Sequence, residues 1–202
     1  MAEDKFIYFD NIATTMTDPE VIEAMLPYLN EKFGNPSSFY EFGSQINDDI
    51  KIAREQVAAL LNADPDEIYF TSGSTESNNW AIKGFALANQ SKGKHLIISS
   101  VEHYSVSHSA EFLKQLGFEI SQIPVDEFGI IKIEEFKKLL RADTILVSVN
   151  FANGEVGSLQ PIDEITDILK ERKIVFHTDA VQSVGYIPID VKKLNIDMLG
   201  FS

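Results

Sequence analysis

Segments with the pattern of buried strands alternate with segments of helical periodicity along this chain, and this alternation constrains the fold more than any other feature. The strand-like segments are Glu67–Phe70, Leu96–Ser99, Phe118–Val125, Ile145–Val149, Lys173–His177 and Asp197–Phe201. Helix-like segments lie between most of them. Such an order predicts right-handed crossovers and a mainly parallel sheet with helices on both faces. The predicted fold class is therefore α/β, with three αβα layers.

The helices are predicted from apolar spacing and from the residues at their ends. Ser44 is the predicted N-cap of a helix that ends near Asn62. Further helices are predicted around Trp80, around Val106–Leu113, and after Pro161, which suits a first helical turn.

Charge balance and the lack of cysteine exclude several classes of function. The chain has 31 acidic and 17 basic residues, a formal net charge of −14, whereas proteins that bind nucleic acid or anionic membranes carry basic patches. It has no cysteine, so by itself it holds no disulfide, no thiolate-bound metal and no cysteine nucleophile. Neither a secretory signal nor an apolar run of about 18–20 residues occurs. We expect a cytoplasmic protein without nucleic-acid or membrane partners.

Ligands of parallel α/β sheets bind beyond the carboxyl ends of the strands, and one such turn in this chain is rich in hydroxyl groups. Thr71–Asn79 follows a predicted strand and opens a predicted helix. Its backbone N–H groups, its hydroxyls and the positive end of the helix dipole all suit a phosphate. The same residues also fit an ordinary helix cap in which Glu76 supports the first turn. On this turn alone, both interpretations stay open.

An imidazole and a carboxylate occupy two further strand ends. His103 could make structural hydrogen bonds, stack on a planar ligand or carry a proton. Asp179 follows a buried strand, where a carboxylate needs a cation or hydrogen-bond donors. A protonated pyridine nitrogen, an arginine or several backbone N–H groups would each serve. His177 beside Asp179 could suggest a metal, but four histidines and no cysteine make that the poorer interpretation, and no metal is predicted.

A phosphate cradle, a ring-stacking histidine and a buried aspartate at three strand ends describe a site for a phosphorylated aromatic cofactor with a basic ring nitrogen. Pyridoxal phosphate has this form, and its electron-sink chemistry needs the ring nitrogen protonated beside a carboxylate. The residues therefore predict pyridoxal 5'-phosphate as the cofactor.

The chain also resembles the cysteine desulfurases of the NifS/IscS type, in the class V aminotransferase group of fold-type I pyridoxal-phosphate enzymes. The motifs that carry the resemblance are Tyr8–Thr15, Phe33–Ser38, Thr71–Asn79, Glu102-His103, Asn153–Gly157, Gln160–Ile162, Asp179–Gln182 and Leu199–Ser202. They occur in the family's order. The resemblance implies the fold-type I large-domain architecture for the sheet.

The resemblance implies a role for each of six residues. Ser74, Thr75 and Ser202 would hold the cofactor phosphate, and His103 would stack on the pyridine ring and take part in proton transfer. The resemblance further implies that the Asp179 carboxylate pairs with the ring nitrogen. Gln182 would bond the phenolic oxygen.

Two departures from the family's pattern stand out. Asn153-Gly154 stands where the family usually has two adjacent asparagines, of which the second contacts the cofactor. The family's Schiff-base lysine follows a Ser-Gly-His-Lys sequence, and its sulfur-accepting cysteine lies much further on; neither precedes Ser202, the last residue here. The resemblance thus implies that residues 1–202 comprise an N-terminal segment plus an incomplete cofactor-binding large domain, without the C-terminal domain.

The activity that the resemblance implies for the complete enzyme is cysteine desulfuration. L-Cysteine would be converted to L-alanine, and the sulfur would pass as a persulfide to a sulfur acceptor or iron–sulfur scaffold protein. The resemblance implies a homodimer. Selenocysteine lyase or another class V enzyme is the alternative among enzymes. A catalytically silent fragment, or a binding scaffold for sulfur carriers, is the alternative from another class.

Overall fold

The structure, a computed structural model, describes residues 6–202. A first compact unit ends at Val57, and a second unit is Ala58–Ser202. All six predicted site residues belong to the second unit. The predicted division into an N-terminal segment and an incomplete cofactor-binding domain stays a prediction.

The first unit contains helix α1, Pro19–Asn30, and most of helix α2, Glu41–Leu61. Asp18 caps α1, because its side chain accepts a hydrogen bond from the backbone N–H of Glu20 at 2.8 Å. No residue of α1 is fully buried. Its apolar side chains are about half exposed or more; they are Val21, Ile22, Met25, Leu26 and Leu29.

Helix α2 begins three residues before its predicted N-cap, so the assignment of Ser44 as the cap is wrong. The carbonyl of Tyr40 accepts hydrogen bonds from the N–H groups of Gly43 at 3.0 Å and Ser44 at 3.1 Å. The first turn is therefore already closed where the cap was expected, and Ser44 lies inside the helix.

The second unit is built on a sheet of five parallel strands. They are β1 His95–Ser99, β2 Glu119–Ile123, β3 Thr144–Ser148, β4 Val175–Asp179 and β5 Met198–Gly200. The strand order is β2-β1-β3-β4-β5, and every pair is parallel. All residues of β1 and β3 are buried, as expected where helices cover both faces. The predicted α/β class with αβα layers is confirmed.

The helices of this unit follow the strands in the predicted alternation. They are α3 Ser74–Asn79, α4 Phe85–Asn89, α5 Tyr104–Gln115, α6 Ile133–Leu139 and α7 Ile162–Arg172, with a π-helical turn at Trp80–Gly84 that joins α3 to α4. Ile82, Val106 and Leu113 pack with Leu96 and Ile98 of β1, so the α3–α4 segment and α5 share one core with the sheet.

Three sequence-based details differ from the structure. Glu67–Phe70 is not a strand: a 3₁₀ turn at Pro65–Glu67 is followed by irregular backbone outside the five-stranded sheet. The β propensity of such a short segment depends on its tertiary context. Strand β4 starts two residues later than predicted, because Lys173 adopts a left-handed conformation that ends α7. The helix predicted around Trp80 is interrupted there by the π-helical turn Trp80–Gly84, in which Trp80 is 56% exposed.

No helix among residues 6–202 has the length and apolar character that a membrane span requires.

Candidate functional site

The sheet has its topological switch point between β1 and β3, because the chain leaves β1 toward β2 and then returns to the other side as β3. Ligand crevices of such sheets form beyond the carboxyl ends of the strands at this point. Glu102 bridges the two loops there. Its Oε1 accepts hydrogen bonds from the Ser99 hydroxyl and from the backbone N–H of Asn150, each at 2.7 Å. The segments that follow β1 and β3 are thus joined by a carboxyl group.

Burial raises the pKa of Glu102 to about 8, against the two hydrogen bonds to Oε1, which lower it. Its second oxygen, Oε2, is buried and has no hydrogen-bond partner among residues 6–202. With this pKa, we expect Glu102 to carry a proton at pH 7. Sequence reasoning assigned it no role, although an acidic residue three positions after a largely apolar strand was an available signal.

Asp179 ends β4 and is 7% exposed. Its Oδ2 accepts a hydrogen bond from Asn78 Nδ2 at 2.7 Å, and its Oδ1 accepts one from the backbone N–H of Val181 at 3.1 Å. In the part of the chain that the structure describes, no lysine, arginine or histidine forms an ion pair with it. Of the partners considered from sequence, uncharged donors are present and an arginine is not.

Asn78 is fully buried on α3 and connects Asp179 with α5. Its Nδ2 donates to Asp179 Oδ2 and also to the Ser105 hydroxyl, at 2.9 Å. The Ser105 Oγ lies 2.8 Å from His103 Nδ1. Sequence reasoning missed both Asn78 and Ser105, since only the packing of α3 against α5 brings them together.

His103 is the N-cap of α5, and its Nδ1 accepts a hydrogen bond from the backbone N–H of Ser105 at 3.1 Å. The residue is exposed, and its Nε2 has no partner among the described residues. The structural interpretation of His103 and the two ligand-related ones are therefore all compatible with its position. One ring nitrogen serves the helix, and the other remains available to a ligand.

Ser74 and Thr75 are the first two residues of α3, preceded by Gly73. Within residues 6–202, neither hydroxyl has a hydrogen-bond partner, and apart from the adjacent residues no atom lies within 4 Å of where a Cβ on Gly73 would be. The space before this helix is open. Glu76 supports the turn as the cap interpretation expected, because its carboxylate accepts from the N–H and the hydroxyl of Ser72, each at 2.6 Å.

Gln182 and Ser202 are both exposed and follow β4 and β5 at their carboxyl ends. The structure joins Asp179 and His103 through Asn78 and Ser105, but it shows no such bonds to Ser74, Thr75, Gln182 or Ser202. A cavity of about 790 Å³ in the second unit is lined in part by Thr71 and Ser77 of the Thr71–Asn79 turn, but by none of the six predicted residues. Among residues 6–202, no three His, Asp or Glu side chains are grouped as metal ligands require.

Gly200 permits β5 to pass close to Asn78. A Cβ at this position would overlap Asn78 Oδ1, whereas a Cβ at Gly84 in the helical segment would come no closer than 3.4 Å to its nearest neighbour, Trp80. We expect Gly200→Ala to lower the free energy of unfolding by about 1–3 kcal/mol through overpacking. The measurement is urea unfolding of the purified protein.

The matched control for Gly200→Ala is Gly84→Ala, which adds the same methyl group where there is room for it. Alanine is favoured over glycine within helices by about 1 kcal/mol, so the control variant should be at least as stable as the unmodified protein. Equal destabilisation by both substitutions would contradict the close approach at Gly200.

Comparison with known proteins gives the chain a family. The family pattern for aminotransferase class-V matches residues 7–202. The chain is 56% identical over 200 residues to "Cysteine desulfurase IscS" from Methanosarcina thermophila, which covers 99% of this chain and 50% of that protein. It is 50% identical over 199 residues to "Cysteine desulfurase IscS" from Clostridium botulinum, which covers 98% of this chain and 50% of that protein. The chain thus spans about half the length of these curated relatives.

Solved structures show the same relationship. A protein described as "NIFS-LIKE PROTEIN" superposes with a TM-score of 0.94 at 41% identity and covers 97% of this chain and 54% of its own. One described as "SspA in complex with cysteine" has a TM-score of 0.93 at 40% identity and covers 96% of this chain and 56% of its own. With the family pattern across nearly the whole sequence and the same fold at such identity, this chain belongs to the class V aminotransferase family.

Proposed function

We propose that this chain is the N-terminal half of a pyridoxal-phosphate-dependent cysteine desulfurase. The curated relatives with 50–56% identity carry that name, and one structural relative is described in complex with cysteine. The proposal includes L-cysteine as substrate and continuation of the sequence beyond Ser202 in the full-length protein. Selenocysteine lyase is the alternative that shares the same cofactor-binding residues.

The observation that carries the proposal is the condition of Asp179. Its carboxylate is buried at a strand end and has two uncharged donors, and no cationic side chain of residues 6–202 pairs with it. A buried carboxylate in this condition suits a cationic partner from outside the chain, such as a protonated pyridine nitrogen. When bound, pyridoxal phosphate supplies an electron sink for bond cleavage next to the amino group.

The other candidate site residues suit the phosphate, the ring and the phenolic oxygen of the same cofactor. Ser74 and Thr75 offer free hydroxyls and backbone N–H groups at the start of α3, with open space in front, as phosphate binding requires. His103 presents an exposed ring whose Nε2 is free to hold or move a proton. Gln182 and Ser202 are exposed at neighbouring strand ends and would add a polar contact each.

The partners belong to the same proposal. The full-length protein would pass sulfur to an acceptor or an iron–sulfur scaffold protein, and it would act as a homodimer. A cytoplasmic location stays a prediction from the sequence.

The activity is tested with the full-length protein and pyridoxal phosphate, supplied with L-cysteine or L-selenocysteine in parallel. We expect alanine and sulfane sulfur from L-cysteine at a rate at least equal to that with L-selenocysteine. Alanine from L-selenocysteine alone would favour the lyase, and no product from either substrate would overturn the proposal.

Binding is tested separately through the two hydroxyl residues. We expect Ser74→Ala and Thr75→Ala each to weaken binding of pyridoxal phosphate by about tenfold, because each would remove a hydrogen bond to a charged group. Isothermal titration of the cofactor-free, full-length protein measures this. Ser91→Ala, which alters an exposed serine in the turn after α4, is the matched control and should bind normally. Unchanged affinity in both test variants would remove the phosphate role from this turn.

A further inference from the structure

A chain of side-chain hydrogen bonds runs from β4 to the start of α5. It begins at Asp179 Oδ2, passes through Asn78 Nδ2 and Ser105 Oγ, and ends at His103 Nδ1, with distances of 2.7, 2.9 and 2.8 Å. Asn78 and Ser105 are 0% and 6% exposed. Water is thus kept from the middle of the chain, where each donor and acceptor depends on the next.

The chemistry of Asn78 determines the direction of these bonds. An amide nitrogen has two hydrogens, and here one is directed to Asp179 and the other to Ser105. The reversed amide would place Oδ1 against the Asp179 carboxylate, where two acceptors would face each other without a proton. Asn78 therefore donates at both contacts, and the Ser105 oxygen receives one of its hydrogens.

The direction continues to the imidazole. Because the Ser105 oxygen already accepts from Asn78, its own hydrogen is available to His103 Nδ1. Nδ1 also accepts from the backbone N–H of Ser105 at 3.1 Å, and a backbone N–H can only donate. Nδ1 must present its lone pair to both, so the neutral ring carries its proton on Nε2.

We propose that Asn78 and Ser105 are positioning residues that couple the Asp179 carboxylate to the His103 imidazole and hold the ring with Nδ1 as acceptor and Nε2 toward the ligand. Neither residue would touch the cofactor. Asn78 provides the uncharged donor that holds the buried carboxylate of Asp179. The Ser105 hydroxyl accepts from Asn78 and donates to His103 Nδ1, which fixes the orientation of the imidazole ring. The catalytic consequence of this coupling rests on the proposed function, whereas the coupling itself is a property of the cofactor-free protein.

The structure offers a well-matched pair of substitutions for a test. Ser105→Ala removes the hydroxyl that joins Asn78 to His103, and alanine is well tolerated within a helix. Ser109→Ala removes another buried hydroxyl four residues further along α5, whose one hydrogen bond within residues 6–202 is to the Ser105 carbonyl at 2.6 Å. Asp179→Asn removes the charge at the far end of the chain but keeps an oxygen that can accept from Asn78.

The test is a double-substitution cycle in the cofactor-free, full-length protein with ¹⁵N-labelled histidine, at one fixed pH. Asp179→Asn should move the ring-nitrogen resonances of His103 when Ser105 is present, and it should leave them in place in the Ser105→Ala background. The Ser109→Ala background should behave like the unmodified protein. An equal shift in all three backgrounds would mean that the charge acts through space, and it would overturn the proposal.

If Asp179→Asn does not fold, the same cycle is run with Asn78→Ala, which interrupts the series of hydrogen bonds at its middle. Asn78→Ala should shift the His103 resonances only when Ser105 is present. A shift that persists in the Ser105→Ala background would overturn the proposal by this route.

In the loaded enzyme, Ser105→Ala should lower kcat about fivefold, the factor that corresponds to one ordinary hydrogen bond, with KM for L-cysteine nearly unchanged. Ser109→Ala should leave both constants unchanged. If the full-length protein binds no pyridoxal phosphate, the proposed function fails, but the resonance cycle still decides the coupling.

Discussion

Asp179→Ala in the full-length protein should nearly abolish alanine formation from L-cysteine. The substitution would leave a cationic ring nitrogen without its buried partner, and breaking such a pair costs about 3–5 kcal/mol, or about 10²- to 10⁴-fold in rate. The pyridine nitrogen of the cofactor would lose its proton more readily, and the cofactor would be a weaker electron sink. The measurement is kcat/KM at saturating cofactor, so that weaker cofactor binding does not account for the loss.

Asp143→Ala is the control for this prediction. Asp143 is an exposed carboxylate that pairs with Arg141 at 2.8 Å, and it lies outside the proposed site. We expect its replacement to leave kcat/KM nearly unchanged, because a surface ion pair contributes little to the stability of the fold. Near-normal turnover in Asp179→Ala would reject the role of Asp179 and, with it, the observation on which the proposed function depends.

Glu102→Gln should change how stability depends on pH more than any other single substitution of an acidic residue. Burial raises the pKa of Glu102 from 4.5 to about 8, so the folded protein keeps a proton that the unfolded chain has lost. This carboxyl therefore favours the folded state fully below pH 4.5. Its contribution is lost progressively as the pH rises from 4.5 to about 8, and it stays lost above that value. Glutamine can accept the same two hydrogen bonds at its oxygen without titrating.

The free energy of unfolding of Glu102→Gln, relative to the unmodified protein, should therefore increase by about 3 kcal/mol between pH 5 and pH 8. Urea unfolding at a series of pH values and constant cofactor loading measures this difference. Glu155→Gln is the matched control, since Glu155 is an exposed carboxylate in the turn that follows β3. A flat difference for Glu102→Gln, or an equal slope in the control, would contradict a buried protonated Glu102.

Much of the sheet could be predicted from the sequence because buried parallel strands require nearly continuous apolar segments. Strands β1, β2, β3 and β5 lie within a residue or two of their predicted positions. The strand predicted at Glu67–Phe70 is absent, because β propensity depends on tertiary context that the local sequence does not contain. The predicted start of α2 was wrong because the backbone carbonyl of Tyr40, and not a side-chain cap, closes the first turn.

The same distinction between local and distant information applies to the residues of the candidate site. Asp179, His103 and the Ser74-Thr75 turn could be identified because each follows a strand or opens a helix, and position at a strand end can be read along the chain. Asn78 could not be given a role, since Asp179 is 101 residues away in sequence, and the bond from Glu102 to Asn150, 48 residues away, could not be predicted either. Only the folded arrangement shows that Asn78 donates to both Asp179 and Ser105.

By itself, the sequence determined the α/β class, the strand ends that carry polar chemistry and the resemblance to cysteine desulfurases, because apolar periodicity and local motifs are properties of neighbouring residues. The tertiary structure alone decided the hydrogen-bond chain that joins Asp179 to His103 and the raised pKa of Glu102. Both depend on burial and on contacts between distant segments, and these arise only when the helices and the sheet pack together.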